Sequence, residues 1–215
     1  MTGLEWFKKS KIIAIVRGLA PEHMVQLAEA LYEGGIDLIE VTFHQSQPET
    51  WQNTATSIQA IASHMTGRML VVDGTVICEK QLDMACKAGA AYVVTPNTDS
   101  HLIRTVKARG LLSFPGAFTP SEIVEAYQAG ADAVKVFPAG NLGPSYIQAI
   151  KAPLPHIPLV AVGGINVKNA REYMAAGCCG IGIGGNLVNK NWIEAGAWNM
   201  IAALAREYRK AVETR

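Results

Sequence analysis

The amino-acid sequence predicts an α/β chain folded as one (β/α)8 TIM barrel, a single domain over residues 1–215. Three observations carry this. Short apolar runs alternate with amphipathic stretches eight times, the pattern of βαβ units on a parallel sheet. Glycines close the amphipathic stretches just before the apolar runs. No Ser/Pro-rich linker or shift in composition divides the chain, and eight units in 215 residues suit a compact barrel. A doubly wound open sheet is the alternative, but no G-x-G-x-x-G follows the first run.

In order, the strand candidates are KIIAIVR (11–17), DLIEVTF (37–43), MLVVDGTV (69–76) and AYVVTPN (91–97). LLSFPGAF (111–118), AVKVFPA (133–139), PLVAVGGI (158–165) and CGIGIGGNLV (179–188) follow. Between them, stretches such as PEHMVQLAEALYEGG and TPSEIVEAYQAGA repeat apolar residues at helical spacing. Gly34-Gly35, Gly89, Gly110, Gly130 and Gly177 stand where a left-handed helix C-cap falls. Thr119-Pro120-Ser121-Glu122 has capping-box spacing with Pro at the first helical position.

The bulk numbers exclude several partners. A net charge of +1 without a basic cluster gives no electrostatic case for nucleic acid. No apolar run approaches the roughly 18 residues of a membrane span. MTGLEWFKKSK lacks a hydrophobic signal core, so the expected compartment is the cytoplasm. Cys78, Cys86, Cys178 and Cys179 make no C-x-x-C pair and the histidines are scattered. They read as reduced, packed thiols, with neither a metal site nor a cofactor expected.

Strand alternation singles out the polar residues. In a barrel, successive side chains point in and out. Val134 and Val136 form one set on the sixth run and Ile39, Val41 and Phe43 one set on the second. If these apolar sets face the helices, Lys135 and Glu40 point into the barrel. Arg17 closes the first run and Thr75 comes near the end of the third, at the rim where barrel enzymes keep their chemistry. A structural ion pair between Lys135 and Glu40 is the plain alternative, but desolvation makes such a pair a weak stabiliser. A lysine in a low-dielectric pocket loses its charge readily, and a neutral amine adds to a ketone. A neighbouring carboxylate then moves protons. AVGGI (161–165) and GIGIGG (180–185) end the last two strands in glycines, offering the amides of Gly163, Gly164, Gly184 and Gly185 to a phosphate.

Glu40-Val41-Thr42, Lys135-Val136-Phe137-Pro138, Gly163-Gly164-Ile165 and Thr95-Pro96 resemble the KDPG/KHG aldolases, over most of the chain from Ile12 to Val188. These are class I aldolases acting on 2-keto-3-deoxy sugar acids. The resemblance implies a homotrimer that uses no cofactor or metal, with Lys135 as Schiff-base lysine and Glu40 as general acid/base. It also implies Thr75 as a contact of the pyruvate moiety, with Thr42, Pro96 and Phe137 beside the small-molecule 2-keto acid. Some departures stand out. His44 replaces an arginine that holds the substrate carboxylate in many members, and Arg17 matches the arginine that other branches supply from the first strand. Asp73 is expected to place an inward carboxylate where a small residue is usual, and Gly185 replaces a phosphate-binding serine. The expected reaction is retro-aldol cleavage of a phosphogluconate-type acid, with the phosphogalactonate type as alternative. A phosphate-binding isomerase or epimerase and a catalytically silent binding barrel are the readings from other classes.

Overall fold

Each apolar run becomes a parallel strand, and the sheet closes on itself. In this computed structural model, which describes residues 3–213, the strands are β1 (Ile12–Val16), β2 (Leu38–Thr42), β3 (Leu70–Gly74), β4 (Tyr92–Val94) and β5 (Leu112–Phe114). They continue as β6 (Gly116–Ala117), β7 (Val134–Val136), β8 (Leu159–Val162) and β9 (Gly180–Ile183). The order is β5-β4-β3-β2-β1-β9-β8-β7-β6. The two ends of that order, β5 and β6, are halves of one run broken at Pro115, which lacks an amide proton for the ladder. The Lys135 amide donates to the Pro115 carbonyl at 2.8 Å, and the Asp132 amide to that of Ser113 at 3.0 Å. The broken strand is therefore bonded on both sides, and eight sequence runs make one barrel.

The alternation sorts two apolar layers. Inside the barrel lie Phe7, Ile13, Leu38, Val72, Tyr92, Val94, Phe114, Ala133, Val160 and Val162. Phe7 comes from an N-terminal helix, α1 (Gly3–Ser10), that the sequence reading did not anticipate. Its ring meets Phe114 edge-on at 4.8 Å, and Tyr92 lies 5.1 Å from Phe114, so aromatic rings fill the barrel interior. Ile39, Val41, Val71, Val134 and Val136 face the helices instead. Each such large apolar side chain taken from water stabilises the fold by about 1.5–3 kcal/mol.

The helix signals fall as read. Gly35, Gly89, Gly110, Gly130 and Gly177 take positive φ, Gly35 doing so in place of Gly34. Thr119 and Glu122 form a reciprocal capping box on α6 (Pro120–Gln128), counting α2 (Met24–Glu33), α3 (Trp51–His64), α4 (Glu79–Ala88) and α5 (Ser100–Ala108) before it. The four cysteines are free, and burial pushes the Cys178 thiol up to about 12 and that of Cys179 to about 11. Among the described residues, no helix is long and apolar enough to cross a membrane.

Asp73 departs from the inward placement expected of it. It faces the helices rather than the barrel interior. Val72 belongs to the inner layer and Val71 to the outer, so the next outward position on β3 is Asp73, level with Val41 and Val93. It is fully buried and neither side-chain oxygen has a hydrogen-bond partner. Burial, and then the Glu40 charge, push its carboxyl well above the usual range, while the nearby Gly74 amide opposes them.

An unfolded aspartate ionises near 3.9, about where the folded Asp73 still keeps its proton. As pH rises past that value, ionisation favours the unfolded chain and this contribution to stability is lost. Asp73→Asn is therefore expected to raise Tm at pH 7, with the gap closing as pH falls through about 4. Thermal unfolding of both proteins across that range checks it, and an equal or lower Tm at pH 7 contradicts it.

Candidate active site

Lys135 sits at the centre of β7 between two outward valines, so its stem runs into the barrel. Only 7% of the residue is exposed. Its Nζ lies 5.0 Å from the ring centroid of Phe137, the next inward position, which gives the ammonium a cation–π partner at the mouth. Burial holds the amine below the ordinary lysine range. The Glu40 charge pulls it back up, and Arg17 pushes it further down.

Glu40 occupies the matching position on β2 and is 2% exposed. Burial raises its carboxyl above the usual value, opposed by Lys135 and then Arg17. Among the described residues no direct ion pair joins Lys135 to Glu40, yet each feels the other's charge. What admits the carboxyl here is Gly74 on the neighbouring strand. A Cβ on Gly74 would lie 2.0 Å from Glu40 Oε1 and 2.5 Å from Cδ, so Glu40 fills the space a side chain would need.

The other expected residues distribute around this pair. Arg17 is exposed at the rim after β1 and couples electrostatically to both Lys135 and Glu40. Thr42 is buried, and its hydroxyl donates to the Val16 carbonyl at 3.2 Å, which ties β2 to β1. Pro96 is half-buried. Its carbonyl approaches Gly116, which pairs with Lys135, so closely that a Cβ on Gly116 would stand 2.3 Å from the oxygen. His44 lies apart from the pair. It is exposed, its Nδ1 is 3.2 Å from Ser46 Oγ, and it lines a cleft of about 250 Å3 with Gly18, Thr42, Thr54 and Ser57.

Thr75 follows Gly74 with φ +61, a left-handed conformation that is a genuine outlier for a β-branched residue. Two side chains that the sequence reading passed over surround it. Gln45 Nε2 donates to the Thr75 carbonyl, and the wholly buried Gln81 donates from Nε2 to Gln45 Oε1 at 2.9 Å. The signal for Gln81 was a polar residue on the face of α4 that otherwise buries Leu82, Ala85 and Ala88.

The glycines ending the last two strands sit across the mouth. Gly163 and Gly164 both take positive φ. A Cβ on Gly163 would press 3.3 Å from the Phe137 ring, and one on Gly164 2.9 Å from the Gly140 Cα. The Gly140 amide donates to the Gly163 carbonyl at 2.7 Å, so this turn is pinned to the segment after β7. Counting α7 (Pro144–Lys151), the next helix is α8 (Val167–Ala175), capped by Asn166 in a capping box. Gly184 and Gly185 follow β9, and nothing lies within 4 Å of where a Gly185 side chain would start. Lys190, also missed, opens α9 (Lys190–Glu194) and reaches the Gly18 carbonyl at 3.4 Å, beside Arg17. Among the described residues no three His, Cys, Asp or Glu side chains are grouped to hold a metal ion.

Comparison with known proteins bears on this arrangement. The family model described as KDPG and KHG aldolase matches residues 4–204. The chain belongs to this aldolase family. It is therefore a lyase by class. The 2-dehydro-3-deoxy-6-phosphogalactonate aldolase of Escherichia coli K12 is 35% identical over 98% of this chain and the whole of that protein. The KHG/KDPG aldolase of the same organism is 33% identical, covering 86% and 84% of the two chains. Among solved structures, one of KDPG aldolase from Legionella pneumophila holds pyruvate captured as a covalent carbinolamine intermediate. It superposes with a TM-score of 0.85 at 26% identity, covering 96% of this aldolase and 97% of that chain.

The steric fit of Glu40 against Gly74 can be broken without touching either charge. Gly74 has no positive φ, so Gly74→Ala acts through the Cβ alone. The variant is expected to fold but to lose about 10²-fold or more in kcat, the scale for displacing a proton-transfer group. Steady-state cleavage kinetics check this, and near wild-type kcat would show that Glu40 need not lie where it does.

Proposed function

We propose that this aldolase cleaves a 2-keto-3-deoxy sugar acid carrying a terminal phosphate, giving pyruvate and an aldehyde such as glyceraldehyde 3-phosphate. The observation that carries the reading is an amine and a carboxyl buried at one barrel mouth, each driven toward its neutral form by burial. Neutral Lys135 adds to the C2 ketone, and uptake of a proton with loss of water gives an iminium cation, whose positive charge favours the carboxylate form of the nearby Glu40. Glu40 takes the proton from the C4 hydroxyl and the C3–C4 bond breaks. Its electrons pass into the enamine, with the iminium nitrogen as sink. Protonation at C3 and hydrolysis then release pyruvate and restore the amine. Arg17 pairs with the substrate carboxylate as a bidentate donor. Thr75, Thr42, Pro96 and Phe137 bound the pyruvate half, with His44 at its edge. Gly163, Gly164, Gly184 and Gly185 offer backbone amides to the phosphate.

A phosphogluconate-type acid is the first reading. The phosphogalactonate type is the second, favoured by the 35% identity across the full length of such an aldolase and by Arg17 on β1. The same reading takes the chain as one catalytic domain that works as a cytoplasmic homotrimer. A designed cage made by fusing symmetric oligomeric domains supports oligomeric assembly, though not its number, since it matches at a TM-score of 0.84 with 34% identity, covering 95% of this chain and 73% of its own.

Borohydride reduction in the presence of pyruvate should leave a stable adduct on one peptide, that of Lys135. Lys135→Arg should give neither adduct nor turnover, because guanidinium stays protonated. Glu40→Gln should keep the adduct while losing roughly 10²–10⁴-fold in kcat for cleavage. An adduct on another lysine, read by peptide mass, overturns the mechanism.

A further inference from the structure

We propose that Gln81 and Gln45 form an amide relay that holds Thr75 in its left-handed conformation and so positions its side chain for the reaction. The inference rests on the reading of Thr75 as a substrate contact. It begins with the backbone. A threonine at φ +61 persists only where its surroundings over-determine it, since relaxation to extended φ is open to any residue that is not held. The strand ladder flanks it but grips it firmly on one side only: the Gly74 carbonyl accepts from the Phe43 amide at 3.0 Å, whereas the Val76 amide reaches the Val94 carbonyl only at 3.4 Å.

Side chains grip the Thr75 carbonyl itself, and the sense of the chain of hydrogen bonds is fixed at both ends. The Ile77 amide can only donate, and it donates to Gln81 Oε1 at 2.8 Å. That leaves Gln81 Nε2 to donate to Gln45 Oε1 at 2.9 Å, which in turn leaves Gln45 Nε2 facing the Thr75 carbonyl. Only one orientation of the two amides satisfies every partner. Gln81 is wholly buried, so water cannot take over a broken link without a cost. The relay also joins two loops, since Gln45 follows β2, the strand of Glu40, while Thr75 follows β3. It fixes the threonine relative to the carboxyl strand.

A plainer role for Gln81 is capping α4, because Ile77 lies just before that helix and the N-cap residue Cys78 makes no side-chain cap bond. The two roles separate experimentally. Gln81→Glu keeps the acceptor for Ile77 and hence the cap, but it presents an oxygen to Gln45. Gln45 must then flip and set its own oxygen against the Thr75 carbonyl. Gln45→Met removes the last link from a half-buried site without touching the cap.

Each variant is made in the wild-type chain and in Thr75→Gly, where glycine takes positive φ without strain and has no side chain to place. Cleavage kinetics are measured on all six proteins, with folding checked by circular dichroism. Gln81→Glu and Gln45→Met should each lower kcat/KM roughly 10- to 100-fold in the wild-type chain. In Thr75→Gly each should cost less than about threefold, the non-additivity expected of residues acting through one partner. If Gln81→Glu fails to fold, Gln45→Met decides alone. Equal losses in both backgrounds, or no loss in the wild-type chain, overturn the relay while leaving the aldolase reading intact. Thr75→Gly with wild-type activity would instead overturn the substrate contact itself, and the relay with it.

Discussion

Burying an amine and a carboxyl in one low-dielectric space costs the fold several kcal/mol per charge unless the two offset each other. Here the offset is incomplete, because Lys135 and Glu40 sense each other without forming a direct ion pair. A tight pair would recover more Coulomb energy and keep the amine protonated. Separation leaves burial as the largest influence on each group, and it drives the amine toward the free base that attacks a ketone. Arg17 reinforces this for Lys135 from the rim and, in the opposite sense, favours the charged form of Glu40. The stability lost to desolvation is made up by the two apolar layers that seal the barrel.

Building the site requires backbone to come close where side chains would intrude. Gly74 yields its Cβ space to Glu40, and Gly116 lets the Pro96 carbonyl settle beside the lysine strand. Gly164 meets Gly140 with no room for a methyl group between them. These glycines lie on β3, on β6 and in the turns after β7 and β8, so the site is set by what its frame omits as much as by its charged groups. Thr75 is the opposite case, a branched residue kept where glycine would be easier. Its strain is tolerated because Gln45 and Gln81 hold the loop.

Much of this was legible in the sequence. Period-two alternation on AVKVFPA and DLIEVTF placed Lys135 and Glu40 inside, because their neighbours Val134, Val136, Ile39 and Val41 had only one apolar layer to join. Glycine and capping-box punctuation located the helix ends for the same local reason. The failures come from a motif set above strand parity in one case and from tertiary context in the others. Asp73 was read as inward from a motif, although its own strand parity with Val71 pointed to the helices. The break at Pro115 turned one expected strand into two, which shows only once both neighbours are paired. Gln45, Gln81 and Lys190 gave little signal, since partners 30 and 36 residues away for the amides, and 172 for the lysine, decide what they do.

Burial, rather than an ion pair, sets the state of Lys135. Titrating that amine in protein labelled with carbon-13 at lysine Cε, the resonance assigned by its loss in Lys135→Arg, checks this. The midpoint should fall below the ordinary lysine value of about 10.4. It should drop further in Glu40→Gln, which removes the charge that pulls it up, and rise in Arg17→Met, which removes the charge that pushes it down. A wild-type midpoint at or above the ordinary value would contradict this and mean that Glu40 holds the lysine as a cation.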